Sequence, residues 1–378
     1  MNTDYLIIFF VLIIFLLLAT RVSVNSNKDF FVLTKSQKTM TLSLSFFASG
    51  MGIWILTSPA EVGWYGLGPD VYGYALSAAT PFVVLYFLGP KISSIIPKGT
   101  TLAEFIALKY GRSAQIITSI VATIYMGAFL VAEFASIGLF VETLFSISGL
   151  LVSILVGFTT LVYLFRGGFK ASLRTDVFQG IAIVIILLLL LGFWLIDSGS
   201  EQLMEFAISG GMTSSSSFSI KSALAVILAV TAAEIFSQGY WQRTFSAEKT
   251  TSLKVACIFA GVGCFLTVLI LGFAGTVGAG MGIENPSLSF IGQLEGNSLI
   301  SYALLVLGIC LVTSSVDTLE NAIAATISTD ILQNSKLQIS RIVTVSIVVF
   351  SIFLSLQVTN IFSVFLVADL LATALVVP

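Results

Sequence analysis

The cations of this chain are sorted along it. Sixteen of its seventeen Lys and Arg residues fall into every second gap between long apolar runs. Arg21, Lys28, Lys35 and Lys38 fill the first gap; Lys91, Lys98, Lys109 and Arg112 the third; Arg166, Lys170 and Arg174 the fifth. Arg243, Lys249 and Lys254 follow, then Lys336 and Arg341. The gaps between carry acids instead: Glu61 and Asp70, Glu142, then Asp197, Glu201 and Glu205, then Glu284 and Glu295. A soluble protein has no use for this alternation. A polytopic membrane protein does, because basic loops are retained on the cytoplasmic side. Asp4 before the first apolar run and Arg21 after it orient that run with its N-terminus outside. Lys221 is the exception, expected to snorkel to the outer surface.

Hydrophobic residues make up 57% of the chain and charged residues 10%, against about 25% charged in soluble domains. Crossing the hydrocarbon takes about 20 apolar residues. The sequence predicts eleven spans, near 5–20, 41–66, 71–96, 113–141, 149–165, 177–196, 219–240, 255–280, 298–328, 340–358 and 361–378. The last reaches Pro378 without a polar flank, the expectation for a chain cut within a span. The absence of His removes imidazole-based nucleophile activation, metal ligation and proton relays. Cys257, Cys264 and Cys310 all fall inside apolar runs and read as small buried hydrophobes. No phosphate-binding loop, nucleophile–base pair or metal set is present, so an enzyme is not expected and no organic cofactor is implied. A net charge of −2 offers no basic face to nucleic acid.

The ladder divides the chain into three parts. Residues 1–40 form an N-terminal span and a cytoplasmic loop. Residues 41–218 form a five-span unit entering from the cytoplasmic side. Residues 219–378 form a second unit entering from outside, its last span cut. Two units of opposite insertion have the geometry of an inverted repeat, in which substrate binds where the first helix of each repeat breaks near the midplane. The span FFASGMGIWILTSPAEVG carries Gly50, Gly52, Pro59 and Gly63, a poor continuous helix. Its counterpart KSALAVILAVTAAEIFSQGYWQ carries Thr231, Glu234, Ser237, Gln238 and Gly239.

The stretch LVTSSVDTLENAIAATISTD, 311–330, is a membrane span rich in oxygen. Leu311, Ser314 and Ser315 are spaced i, i+3, i+4 and share a helix face. Hydroxyls on that face, with carbonyls freed at a helix break, could replace the hydration shell of a hard cation such as sodium. Glu133, Asp176, Glu234, Asp317, Glu320 and Asp369 lie in or at the edges of spans, where acids are costly and are functional candidates.

Five stretches in order resemble the sodium:solute symporter family: ASGMGIW at 48–54, TLAEFIALKYG at 101–111, GGFKASLRTDVFQ at 167–179, QGYWQRTFSAEK at 238–249 and TSSVDTLENA at 313–322. The resemblance covers nearly the whole chain. It implies an all-α polytopic membrane protein with the broken-helix inverted-repeat fold of the leucine transporter, preceded by one extra helix. It also implies a sodium site built from the carbonyls of Ala48, Met51 and Leu311 and the hydroxyls of Ser314 and Ser315, with Asp176 on the ion's exit path. Leu311 lacks the hydroxyl that some relatives use for a second sodium. Trp54, Tyr74, Phe129, Glu133, Ser237, Gln238 and Tyr240 are expected near the solute. Proline-type relatives carry an Asp where this chain has Gly50, and galactose-type relatives carry polar residues at Ile55 and Tyr74. Urea, amino-acid and carboxylate solutes remain open.

The implied function is sodium-coupled import of a small organic solute by alternating access in the cell membrane, with sodium, solute and lipid as the partners. The alternative is a solute-sensing membrane module of a histidine-kinase sensor, whose signalling domain would follow residue 378.

Overall fold

The computed structural model describes residues 3–19, 21–294, 296–333, 336–358 and 364. Twelve helices carry the architecture: α1 (Thr3–Ala19), α2 (Thr39–Ser49), α3 (Ser58–Tyr65), α4 (Gly68–Ile95), α5 (Leu102–Tyr110), α6 (Arg112–Phe145), α7 (Gly149–Ser198), α8 (Ser217–Glu234), α9 (Gln238–Ser246), α10 (Thr250–Gly280), α11 (Ser298–Ala325) and α12 (Leu337–Ser355). Among the described residues, seven helices, or eight counting the bent pair α2 and α3 as one, are long and apolar enough to cross a membrane. The first ten expected spans fall on these helices. The run at 361–378, with Asp369, lies outside the described residues apart from Val364.

The two interrupted spans break where their sequences are weakest as helix. Helix α2 ends at Ser49, Gly50 to Gly52 leave the helix, and a short 3₁₀ turn, Ile53–Leu56, leads into α3. The two halves are bent by 65°. The second span stops at Glu234 and resumes at Gln238. Pro59 sits in the first turn of α3, where its missing N–H costs nothing.

The two spans predicted separately, 149–165 and 177–196, follow one another in α7 and are divided by a break in the helical backbone. The joint is Gly168, at φ 49° and ψ −141°, a conformation essentially closed to residues with a side chain. A Cβ there would stand 2.3 Å from the Phe30 carbonyl. The kink thus admits the short helix Asn27–Phe31 against α7.

Close helix approach depends on small residues, as in other membrane bundles. A Cβ on Gly63 would lie 1.9 Å from the Gly272 carbonyl, and one on Gly275 equally close to the Ala60 carbonyl. The outer half of the first broken helix is therefore pressed backbone to backbone against α10. Helix α11 runs through the centre: every residue from Leu307 to Thr326 is buried. Large apolar side chains such as Phe87, Ile117, Leu188, Leu189 and Phe353 are exposed on the perimeter, the face such a bundle turns to lipid.

Candidate functional site

The oxygen-rich face of α11 packs against α2 and the 3₁₀ turn at the first break. Ala48, Met51 and Leu311 belong to one buried cluster, and Ser314 and Ser315 are buried beside it. The Ser314 hydroxyl donates to Asp176 Oδ1 at 2.9 Å. Its proton is thereby committed to the carboxylate, and its lone pairs are left for a cation. The five residues the family resemblance selects are buried on elements that pack against one another.

Asp176 does not stand open on a path. Its Oδ2 accepts from Ser45 Oγ at 2.5 Å and from Arg243 Nη2 at 2.7 Å. Arg243 also donates from Nε to Ser45 Oγ, from Nη1 to the Gly239 carbonyl and from Nη2 to Thr318 Oγ1. The pair is fully buried on both sides. This corrects the sequence reading, which placed Arg243 with Lys249 and Lys254 in a cytoplasmic gap. The residue follows the second break too closely to reach a loop: every residue of α9 is buried. The guanidinium is tolerated there because a carboxylate and three further oxygens satisfy it. An Arg within one short helix of a break, with an Asp inside a distant span, was the available signal.

Around this pair lies a dense polar network in the interior. Asp317 accepts from the Tyr163 hydroxyl, Ser172 Oγ and Thr175 Oγ1. Glu320 accepts from Thr160 Oγ1, and Gln179 Nε2 donates to Thr313 Oγ1.

A cavity of about 430 Å³ opens beside the first break, within the usual range for small-molecule sites. Trp54, Tyr74, Phe129 and Tyr240 line it, as the sequence suggested. Glu133, Ser237 and Gln238 do not. Glu133 turns to the break, where its Oε2 accepts the Ile53 N–H at 3.1 Å. Gln238 turns to the segment before α5: it donates to the Thr100 carbonyl and accepts from the Leu102 N–H. Ser237 is buried at the start of α9. Three carboxylates join the lining, Glu61, Asp70 and Glu234, and no Lys or Arg does among the described residues. Glu61 and Asp70 had been read as markers of an outer loop. Their wall is made by α3 and the start of α4, and the break tilts these into the cavity. The mouth lies at Tyr65, Gly66 and Phe218, and the two aromatics there are exposed. That end is opposite the cation-bearing loops. Trp54 and Tyr74 meet edge to face at 6.1 Å, and Phe82 packs on Tyr240 at 5.2 Å.

The sodium:solute symporter family profile matches residues 30–312. This chain belongs to the sodium:solute symporter family. It is 30% identical over 370 residues to the spermidine transporter DUR31 of Candida albicans, covering 93% of this chain and 69% of that one. Its fold is similar to that of a Na⁺-coupled sialic acid symporter in a substrate-bound outward-open state, with a TM-score of 0.81 at 16% identity, covering 99% of this chain and 86% of the other. It is also similar to Mhp1, a nucleobase-cation-symport-1 family transporter, in a closed conformation, with a TM-score of 0.67 at 16% identity and coverage of 93% and 78%. The protein is a multi-pass membrane symporter of the leucine-transporter-like fold, coupled to sodium.

Proposed function

We propose that the solute is an elongated organic cation of the polyamine class, moved inward with sodium. The observation that carries this is the cavity lining: three carboxylates and six aromatic rings, with no Lys or Arg among the described residues. Carboxylates and aromatic faces are the two groups that hold ammonium ions, and the same lining repels the carboxylate solutes left open by the sequence. The acids are spread along the length. Asp70 and Glu61 flank the mouth, and Glu234 lies at the inner end of α8, about 24 Å of helix from Phe218 at 1.5 Å per residue. A diamine or triamine presents charges with that kind of separation. The spermidine transporter DUR31 is similar over nearly the whole chain, which supports the same solute class.

Sodium binds, in this reading, to the carbonyls of Ala48, Met51 and Leu311 and the hydroxyls of Ser314 and Ser315. Asp176 receives the ion through Ser314 once Arg243 withdraws toward the cytoplasm. Residues 41–218 and 219–378 act as the two repeats, residues 1–40 precede them, and the N-terminus lies outside. One sodium crossing 100 mV contributes about 2.3 kcal/mol, and a tenfold gradient adds about 1.4 kcal/mol. Each positive charge on the solute adds its own electrical work, so uptake should be more voltage-dependent than one sodium explains.

The test is uptake of radiolabelled spermidine into proteoliposomes under an imposed inward sodium gradient. Sodium-dependent uptake is expected, with Glu234→Gln raising KM on the order of tenfold through the lost ion pair. Uptake of a neutral or acidic solute in preference to spermidine would overturn the assignment. Ser314→Ala with Ser315→Ala should abolish the sodium dependence.

A further inference from the structure

Glu133 stands one turn beyond Phe129 on α6 but faces away from the solute cavity. It is completely buried. One carboxylate oxygen, Oε2, accepts the Ile53 N–H at 3.1 Å, fixing the start of the 3₁₀ turn after the break. The other, Oε1, makes no hydrogen bond of good geometry. It occupies the space a side chain at position 52 would need: a Cβ on Gly52 would lie 1.7 Å from Oε1. The Ser315 hydroxyl lies alongside the same carboxyl. The orphaned oxygen is therefore bracketed by the residue that follows Met51 and by Ser315, two neighbours drawn from both halves of the sodium site.

A buried carboxylate oxygen without a donor is strongly unfavourable. The other interior acid at this site, Asp176, is matched by Arg243. No ion pair among the described residues reaches Glu133. A cation beside Oε1 would satisfy it, and the five ligands proposed above are all neutral oxygens.

We propose that Glu133 Oε1 is the anionic ligand of the coupling sodium, completing the ring of carbonyls and hydroxyls between the first break and α11. This rests on the sodium site described above and adds a charge to it. With Glu133 the loaded site is electrically neutral. Gly52 is required because its missing side chain makes room for the carboxylate, not only because the helix must break there.

The experiment uses the full-length protein in nanodiscs. Sodium is titrated against potassium at constant ionic strength, and thermal unfolding is followed, because a ligand bound only by the native state raises its stability. Glu133→Gln keeps the shape and the Ile53 bond but removes the charge. It should move the sodium midpoint upward by about tenfold or more. Gly52→Ala, which displaces the carboxylate without removing it, should move it in the same direction. A purely structural Glu133 would instead lower the unfolding temperature in potassium alone and leave the sodium midpoint unchanged, and that result overturns the proposal. If Glu133→Gln does not fold, Glu133→Asp and Gly52→Ala carry the same readout, and unchanged midpoints in both overturn it. The Ser314→Ala, Ser315→Ala double variant separates the two levels. If it leaves the midpoint unmoved, the whole site is wrongly placed; if it moves the midpoint and Glu133→Gln does not, only the role of Glu133 fails.

Discussion

Replacing Arg243 with Met should cost this protein more than replacing Arg243 and Asp176 together. The two side chains meet at 2.7 Å with no exposure on either side. With charge centres roughly 4 Å apart, their attraction is about 4 kcal/mol at an effective dielectric of 20. That attraction offsets the cost of drying both ions. Arg243→Met removes it and strands Asp176 among Ser45, Ser314 and the neighbouring acid Asp317. Breaking a buried pair from one side typically costs about 3–5 kcal/mol. Adding Asp176→Asn removes the stranded charge and should restore a substantial part, so the double-mutant cycle should give a coupling energy of about 2 kcal/mol or more. The assay is thermal or detergent-induced unfolding of the four proteins in sodium-free buffer, which keeps ion binding out of the comparison. Additive losses would refute the reasoning, since they would mean that Arg243 and Asp176 do not share a buried contact.

Gly168→Ala should lower the unfolding temperature, at a backbone cost of about 1–3 kcal/mol plus the clash with the Phe30 carbonyl. An unchanged melting curve would show that the kink is not as described. Gln238→Leu removes both bonds to the Thr100–Leu102 segment and should loosen the cytoplasmic closure; accessibility of a cysteine placed at Thr100 to a membrane-impermeant thiol reagent on that side should rise, and equal labelling would count against the latch. Burial pushes the Glu104 carboxyl above its ordinary value of 4.5, against the Thr100 N–H bond and the Lys28 charge that pull it down. The folded state therefore holds this proton more tightly than the unfolded one, and its contribution to stability falls as pH rises from 4.5 through the raised value. Glu104→Gln should flatten stability against pH in that window, and an unaltered profile would rule the group out.

The alternating cations made topology legible because membrane insertion acts on loop charge, a property of local composition. The first break was visible in Gly50, Gly52 and Pro59, and the oxygen-bearing stripe of α11 in the spacing of Leu311, Ser314 and Ser315. The destination of long side chains was not visible. Arg243 and Glu133 meet residues far from them in sequence, Asp176 and Ser45 for the one and Gly52 and Ile53 for the other, so their neighbours are unpredictable from local sequence. Glu61 and Asp70 were hidden for a related reason. Acids at the end of a span look alike whether they meet solvent in a loop or in a cavity, and only the 65° bend between the two halves distinguishes these cases. The interruption at Gly168 falls in the basic gap between the spans expected at 149–165 and 177–196, but its compact geometry, one non-helical residue rather than a loop, was not legible.

Helix α9 is nine residues long and buried throughout. Tyr240 lines the cavity, Arg243 reaches Ser314 through Asp176, and Gln238 holds the Thr100–Leu102 segment. A transporter wastes its ion gradient when it cycles with only one passenger aboard. If sodium and solute bind as proposed, one short helix of about 14 Å is tied to the seat of each passenger and to the segment beside α5. On that reading its movement requires all three ties to shift together, so coupling would be mechanical and local.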